Sequence, residues 1–201
     1  MGKRMSKSRV EAFSDGVIAI AITVLVLELE VPHGATMAAL QPMLPVLLGH
    51  VLSFVYIGIY WNNHHHLFQA VRVIDGRILW LNLHLLFWLT LLPFVTAWMG
   101  RAGVETVPVA AYGVVLFMCA LAYAMLEHAL VRLDRAHATL ALAIGADRKG
   151  WLSLAAYAGG IGLGFVQAWI GLAIYTVVAI AWFIPDRRIE ARLTLDEEGG
   201  G

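Results

Sequence analysis

Charged residues are scarce in this sequence of 201 residues. Lysine, arginine, aspartate and glutamate make up 14% of it, whereas soluble domains carry about a quarter. Acidic and basic residues balance to a formal net charge of +0, so no basic excess indicates a nucleic-acid partner. Cysteine is nearly absent as well, and the single Cys119 excludes a disulfide within the chain.

Apolar residues take the place of the missing charge, at 60% of the chain with a mean hydropathy of +0.76. Apolar runs of about 17–25 residues are typical of membrane-spanning helices. We predict an all-α integral membrane bundle of six transmembrane helices, forming a single channel domain over residues 1–201. The predicted helices are 12–31, 42–66, 77–99, 107–131, 150–167 and 169–185. A turn near 166–170 separates the last two, since the apolar run there is too long for one span.

Loop charges predict the orientation, because cytoplasmic loops are enriched in lysine and arginine. With both termini in the cytoplasm, Arg101 alone of the 14 lysines and arginines falls outside. The longest inner loop, near 132–149, is too short for a soluble domain. We therefore expect a multi-pass protein of the cell membrane whose function resides in the bundle. Its expected partner is the lipid bilayer, and we expect no enzymatic activity, nucleic acid or small-molecule substrate.

Ser14 and Asp15 lie at the start of the first helix, where a membrane environment is unfavourable for polar groups that lack partners. The predicted topology brings polar residues of the second and third helices to the same level: Asn62, Asn63, His64, His65, His66, Trp80, Asn82 and His84. We expect a buried cluster in which Ser14 and Asp15 accept hydrogen bonds from amide, imidazole or indole groups. Adjacent helical residues point about 100° apart, so the sequence leaves open which of the three histidines is buried.

The first helix also carries an apolar stripe. At about 100° per residue, Ile20, Val24 and Leu27 lie close together, Thr23 flanks them, and Asp15 points about 140° away from Ile20. Periodicity by itself favours packing as the role of such a stripe.

Residues 9–15 resemble the first-helix signature of the TMEM175 family of potassium channels, Arg-x-x-x-Phe-Ser-Asp. The segment 61–66 and the Trp-x-Asn pair at 80–82 resemble the helix-two and helix-three partners of that signature. The resemblance implies a potassium-permeable leak channel, built as a homotetramer in which each first helix lines a central pore. It assigns a structural polar network to these residues: Arg9, Phe13, Ser14, Asp15, Asn63, His64, His65, His66, Trp80 and Asn82.

The same resemblance assigns the pore residues. Ile20 is the main constriction and gate, Val24 and Leu27 form further apolar rings, and Thr23 bears on potassium preference. Apolar rings of this kind gate by dewetting. No cofactor or resident metal is expected apart from the permeant potassium ion. Glu28 and Glu30, near the outer end, are expected to concentrate cations at the mouth.

Two alternatives remain open. A proton-coupled membrane transporter would use Asp15 and one of the histidines at 64–66 as its relay. A haem-binding redox protein would use histidines of helix two, with His84 facing His64. A metal site at the three consecutive histidines is disfavoured, since helical ligand pairs stand at i and i+4.

Overall fold

The computed structural model describes residues 7–71, 74–133 and 148–183, and these residues form helices joined by short loops, as predicted. The last two positions of the predicted sixth helix and most of the 132–149 loop lie outside the described residues. The helices are α1 (Lys7–Leu27), α2 (Met37–Leu40), α3 (Leu44–Gln69), α4 (Gly76–Thr90), α5 (Leu92–Ala102), α6 (Thr106–Leu133), α7 (Arg148–Gly164) and α8 (Ala168–Phe183). A single 3-10 turn, Gln41–Met43, joins α2 to α3.

The observed helix bounds differ from the predicted ones by a few residues throughout, and two of the differences have reasons that the sequence contains. α1 covers Lys7–Leu27 instead of the predicted 12–31. It ends before 31 because Glu28 and Glu30 interrupt the apolar run and Pro32 disfavours helical geometry in the residue before it. The predicted third helix is broken at Leu91 into α4 and α5, because Pro93 has no N–H to donate to the preceding turn.

Four segments of the described chain are long and apolar enough to cross a membrane: Lys7–Leu27, Met37–Gln69, Gly76–Ala102 and Thr106–Leu133. The pair α7 and α8 is shorter, and the turn between them falls at 165–167, close to the predicted position. Their close approach depends on glycine, since a Cβ on Gly171 would lie 2.8 Å from the carbonyl oxygen of Gly160. Small residues permit such contacts between membrane helices.

The core is built around α6, on which α4, α5, α7 and α8 all pack. Its fully buried positions recur every three or four residues, at Leu116, Cys119, Ala122, Leu126 and Leu130. α1 packs instead on α3, α4 and α5, and one long face of α1 stays exposed. We call the end of the bundle near Lys7 the inner end and the end near Leu27 the outer end.

Candidate functional site

α1 has two apolar faces, and the protomer covers one of them. The covered face consists of Val10, Ser14, Ile18, Ala21 and Leu25. The opposite face follows the same spacing of three and four residues and is exposed at Gly16, Ile20, Thr23 and Leu27. Ile20 is 65% exposed and Leu27 is 75% exposed. A second surface must therefore meet this face, whether lipid, another protomer or water.

The predicted apolar stripe lies on this exposed face, with one member at its border. Ile20 and Leu27 point outward together with Thr23, whereas Val24 is half-buried. The Thr23 hydroxyl donates to the carbonyl of Ala19 at 2.8 Å, so its oxygen lone pairs remain directed away from the helix backbone. The exposed face therefore combines two large apolar side chains with one hydroxyl.

The covered face is held by a buried chain of hydrogen bonds. The Asn82 amide Nδ2 of α4 donates to the Ser14 hydroxyl at 2.8 Å, and Ser14 donates to the Val10 carbonyl at 2.8 Å. The Asn82 oxygen Oδ1 lies 2.7 Å from His64 Nε2, and it accepts from His64 because the Asn82 amide nitrogen is already the donor to Ser14. Ser14, Asn82 and His64 are each at most 2% exposed.

His64 is thus the buried histidine of the three. Its ring stacks on Phe68 with centroids 4.4 Å apart, and this contact helps to hold the plane of the imidazole ring. His65 and His66 are exposed. His65 stacks on Trp61 and contacts the Gln69 amide at 2.9 Å.

Asp15 lies outside the buried chain, although the sequence placed it in the buried cluster. Its carboxylate accepts from the Trp61 indole at 3.0 Å, and both side chains are exposed in the protomer. Of the other residues assigned to the polar network, Asn63 is half-buried, while three are exposed on the protomer surface. Those three are Arg9, Phe13 and Trp80.

The outer end of α1 has contacts that the sequence did not predict. Arg101 of α5 lies 2.8 Å from Glu28 and 3.6 Å from Glu30, so the two carboxylates expected to attract cations already have a positive partner. His50 Nδ1 of α3 donates to the Leu25 carbonyl at 3.3 Å. The sequence did contain a signal for the ion pair, since Arg101 was the single basic residue on the same side as the two glutamates.

The described residues contain no group of three or more histidine, cysteine, aspartate or glutamate side chains placed to hold a metal ion. The histidine pair considered for haem has other partners as well. His64 donates to Asn82, and His84 Nε2 accepts from the Trp88 indole at 2.9 Å.

The fold and this polar chain define an all-helical, multi-pass membrane protein. Residues 9–93, which contain most of α1 and all of α3 and α4, match the family model described as endosomal/lysosomal potassium channel TMEM175. The chain is 50% identical over 189 residues to a potassium channel of a Chryseobacterium species, covering 94% of this chain and 98% of the relative. A potassium channel of Streptomyces collinus is 37% identical over 86% of this chain and 89% of the relative.

A solved structure shares the fold as well. The crystal structure of a lysosomal potassium-selective channel TMEM175 homologue from Chamaesiphon minutus has a TM-score of 0.76 and 29% identity, covering 89% of this chain and 96% of that chain. The chain belongs to the TMEM175 family of potassium channels. These relatives are channels rather than enzymes.

Proposed function

We propose that four copies of this chain assemble in the cell membrane around a central potassium pathway lined by the exposed face of α1. The observation that carries the proposal is that Ile20, Thr23 and Leu27 face away from the protomer while Ser14, on the other face, is fixed by Asn82. A single helix that lines a pore needs this division, with one face anchored and the other free. The similarity of the chain to potassium channels supports potassium as the permeant ion.

Ile20 forms the narrowest ring in this proposal. A ring of four branched apolar side chains excludes water when it is narrow, and an ion then cannot keep its hydration shell. Leu27 lies about 10 Å further along the helix, at 1.5 Å per residue, and Val24 borders the path from its half-buried position. Slight separation of the four helices wets the rings and opens the path.

Thr23 lies between the Ile20 and Leu27 levels. Because its hydroxyl proton is directed to the Ala19 carbonyl, the oxygen presents lone pairs to a passing cation. Four such oxygens at one level replace part of the hydration shell of potassium and favour it over ions that hold water more strongly. We propose Thr23 as the residue that sets potassium preference, with no cofactor or resident metal taking part.

The structure favours the channel over the proton-coupled transporter. A relay from Asp15 to a histidine of α3 requires the two groups to exchange a proton. Asp15 accepts instead from Trp61, and His64 donates to Asn82. Both groups thus act as contacts between helices.

Potassium and sodium flux from proteoliposomes tests the proposal. Ile20→Asn replaces the apolar ring with polar groups, so we expect at least about tenfold faster potassium leak, corresponding to about 1.4 kcal/mol of barrier, together with weaker preference over sodium. The control is Ile180→Asn, which places the same change on an isoleucine of α8 that is 58% exposed and faces lipid in this proposal. Equal flux in the two variants would contradict the pore assignment, as would the absence of potassium flux in intact tetramers of the unmodified chain.

A further inference from the structure

The outer end of α1 carries an ion cluster that the gating proposal does not use. Glu28 and Glu30 follow the last turn of α1, and Arg101 lies in the last turn of α5. The guanidinium contacts both carboxylates, with Nη2 at 2.8 Å from Glu28 and Nε at 3.6 Å from Glu30. One cation is therefore shared by two anions at the level where the helix ends.

We propose that Arg101 controls cation entry, by cancelling part of the negative charge that Glu28, Glu30 and the end of α1 present at the outer mouth. This inference rests on the proposed function, because it requires α1 to border the ion path. The carbonyl groups at a helix C-terminus carry about half a negative charge, which adds to that of the carboxylates. Arg101 is thus a residue that tunes conductance and is distinct from the gate residues.

The cluster is exposed to water, and this exposure determines how the loss of Arg101 affects the protein. The side chains of Arg101 and Glu30 are 62% and 74% exposed, and ion pairs in contact with water contribute little to stability. Loss of Arg101 therefore leaves the fold in place and changes mainly the local potential. The potential at such a site attracts mobile cations and is screened by salt.

The end of α1 has a second contact that keeps the cluster in place without Arg101. His50 donates to the Leu25 carbonyl, one of the last carbonyls of α1. The position of the two carboxylates therefore depends on α3 as well as on α5. We expect a variant at Arg101 to retain the helix end near its original place, so that charge is the property that changes.

The test is single-channel potassium conductance of Arg101→Gln in planar bilayers, measured with outer solutions of low and high ionic strength. At about 0.01 M, where screening extends over about 30 Å, we expect at least about a twofold increase in inward conductance, less than the roughly tenfold effect at which full electrostatic focusing begins. At about 1 M, where the screening length is about 3 Å, the increase disappears. Arg101→Lys retains the charge and stays close to the unmodified channel.

Two further variants separate charge from loosened packing. In Arg101→Gln combined with Glu28→Gln and Glu30→Gln, the low-salt increase is lost. Glu105→Gln, at another carboxylate in the loop after α5, removes a negative charge outside the cluster and gives no increase. A gain that persists at high salt or in the combined variant would overturn the inference, as would an Arg101→Gln channel that matches the unmodified one at low salt. In either case, potassium flux through the unmodified channel would leave the proposed function standing.

Discussion

The inner and outer ends of α1 are held by different chemistry. At the inner end, Ser14, Asn82 and His64 form a buried chain of neutral hydrogen bonds between α1, α4 and α3. At the outer end, Arg101 and Glu28 form an exposed ion pair, and His50 supplies one hydrogen bond to the backbone. The strength of the buried hydrogen bonds depends on fixed side-chain positions, whereas the strength of the exposed ion pair depends on the salt concentration.

This difference suggests a division of roles along one helix. A buried polar group without a partner in a membrane protein is unfavourable, so the inner chain fixes the rotation of α1 about its axis. An exposed ion pair is weak and readily screened, so the outer cluster sets the local charge without fixing the helix rigidly. The proposed gate residues lie between the two ends, so we expect a small displacement of the outer end to change their spacing.

Among these substitutions, Asn82→Leu is expected to have the largest effect on the free energy of unfolding. It removes the donor to Ser14 and the acceptor of His64, two buried hydrogen bonds between helices. We expect a loss of about 1–2 kcal/mol in the free energy of unfolding, the upper range for polar contacts in membrane proteins, with little dependence on salt. Thermal unfolding in detergent measures it, with the exposed Asn62→Leu as control. Equal stability of the two variants would contradict a stabilising role for the inner chain.

His50→Phe is expected to have a smaller effect at the other end. The phenyl ring fills similar space but lacks the donor to the Leu25 carbonyl. The expected loss is about 0.5–1 kcal/mol, near the average for one such bond. The same unfolding measurement applies, and His33→Phe, at an exposed loop residue, is the control. A loss of stability larger than that of Asn82→Leu would contradict the expectation that the contacts at the inner end contribute more stability than those at the outer end.

Substitutions at Asp15 are expected to have the smallest effect on protomer stability. Asp15→Asn retains an acceptor for the Trp61 indole, so the change is at most a few tenths of a kcal/mol, as for other exposed pairs. Asp15→Ala removes the acceptor, and we expect it to lower mainly the fraction of tetramer. Light scattering during size-exclusion chromatography measures the fraction of tetramer in each of the two variants. An equal tetramer fraction in both would show that the acceptor has no role in assembly.

Sequence reasoning predicted the helices and the level of the polar residues, because apolar length and loop charge are local signals. It placed Ser14, Asn82 and a histidine of helix two at one level from topology alone. It did not identify His64 among three adjacent histidines, since that choice depends on how α3 packs against α4. It also placed Asp15 among buried groups, whereas Asp15 is exposed beside Trp61.

The outer contacts escaped prediction for a different reason. Glu28, Glu30 and Arg101 were each assigned to the outer side, but their pairing depends on where α1 ends. The helix stops at Leu27, which leaves Glu28 within reach of α5. The exposure of Ile20 and Leu27 likewise follows from the arrangement of α3, α4 and α5 around α1, which periodicity alone does not determine.

Silver-ion block of a cysteine at position 20 tests the central claim most directly. The single native cysteine is buried and is first replaced, as Cys119→Ala. Ag⁺ carries the same charge as potassium, binds thiolate ligands and stays dissolved when chloride is absent, so we expect it to reach a thiol that lines a potassium pathway. We expect Ag⁺ to abolish potassium flux through Ile20→Cys and to leave flux through Ile180→Cys unchanged. Potassium flux that continues through Ile20→Cys in the presence of Ag⁺ would contradict the placement of this face along the ion path.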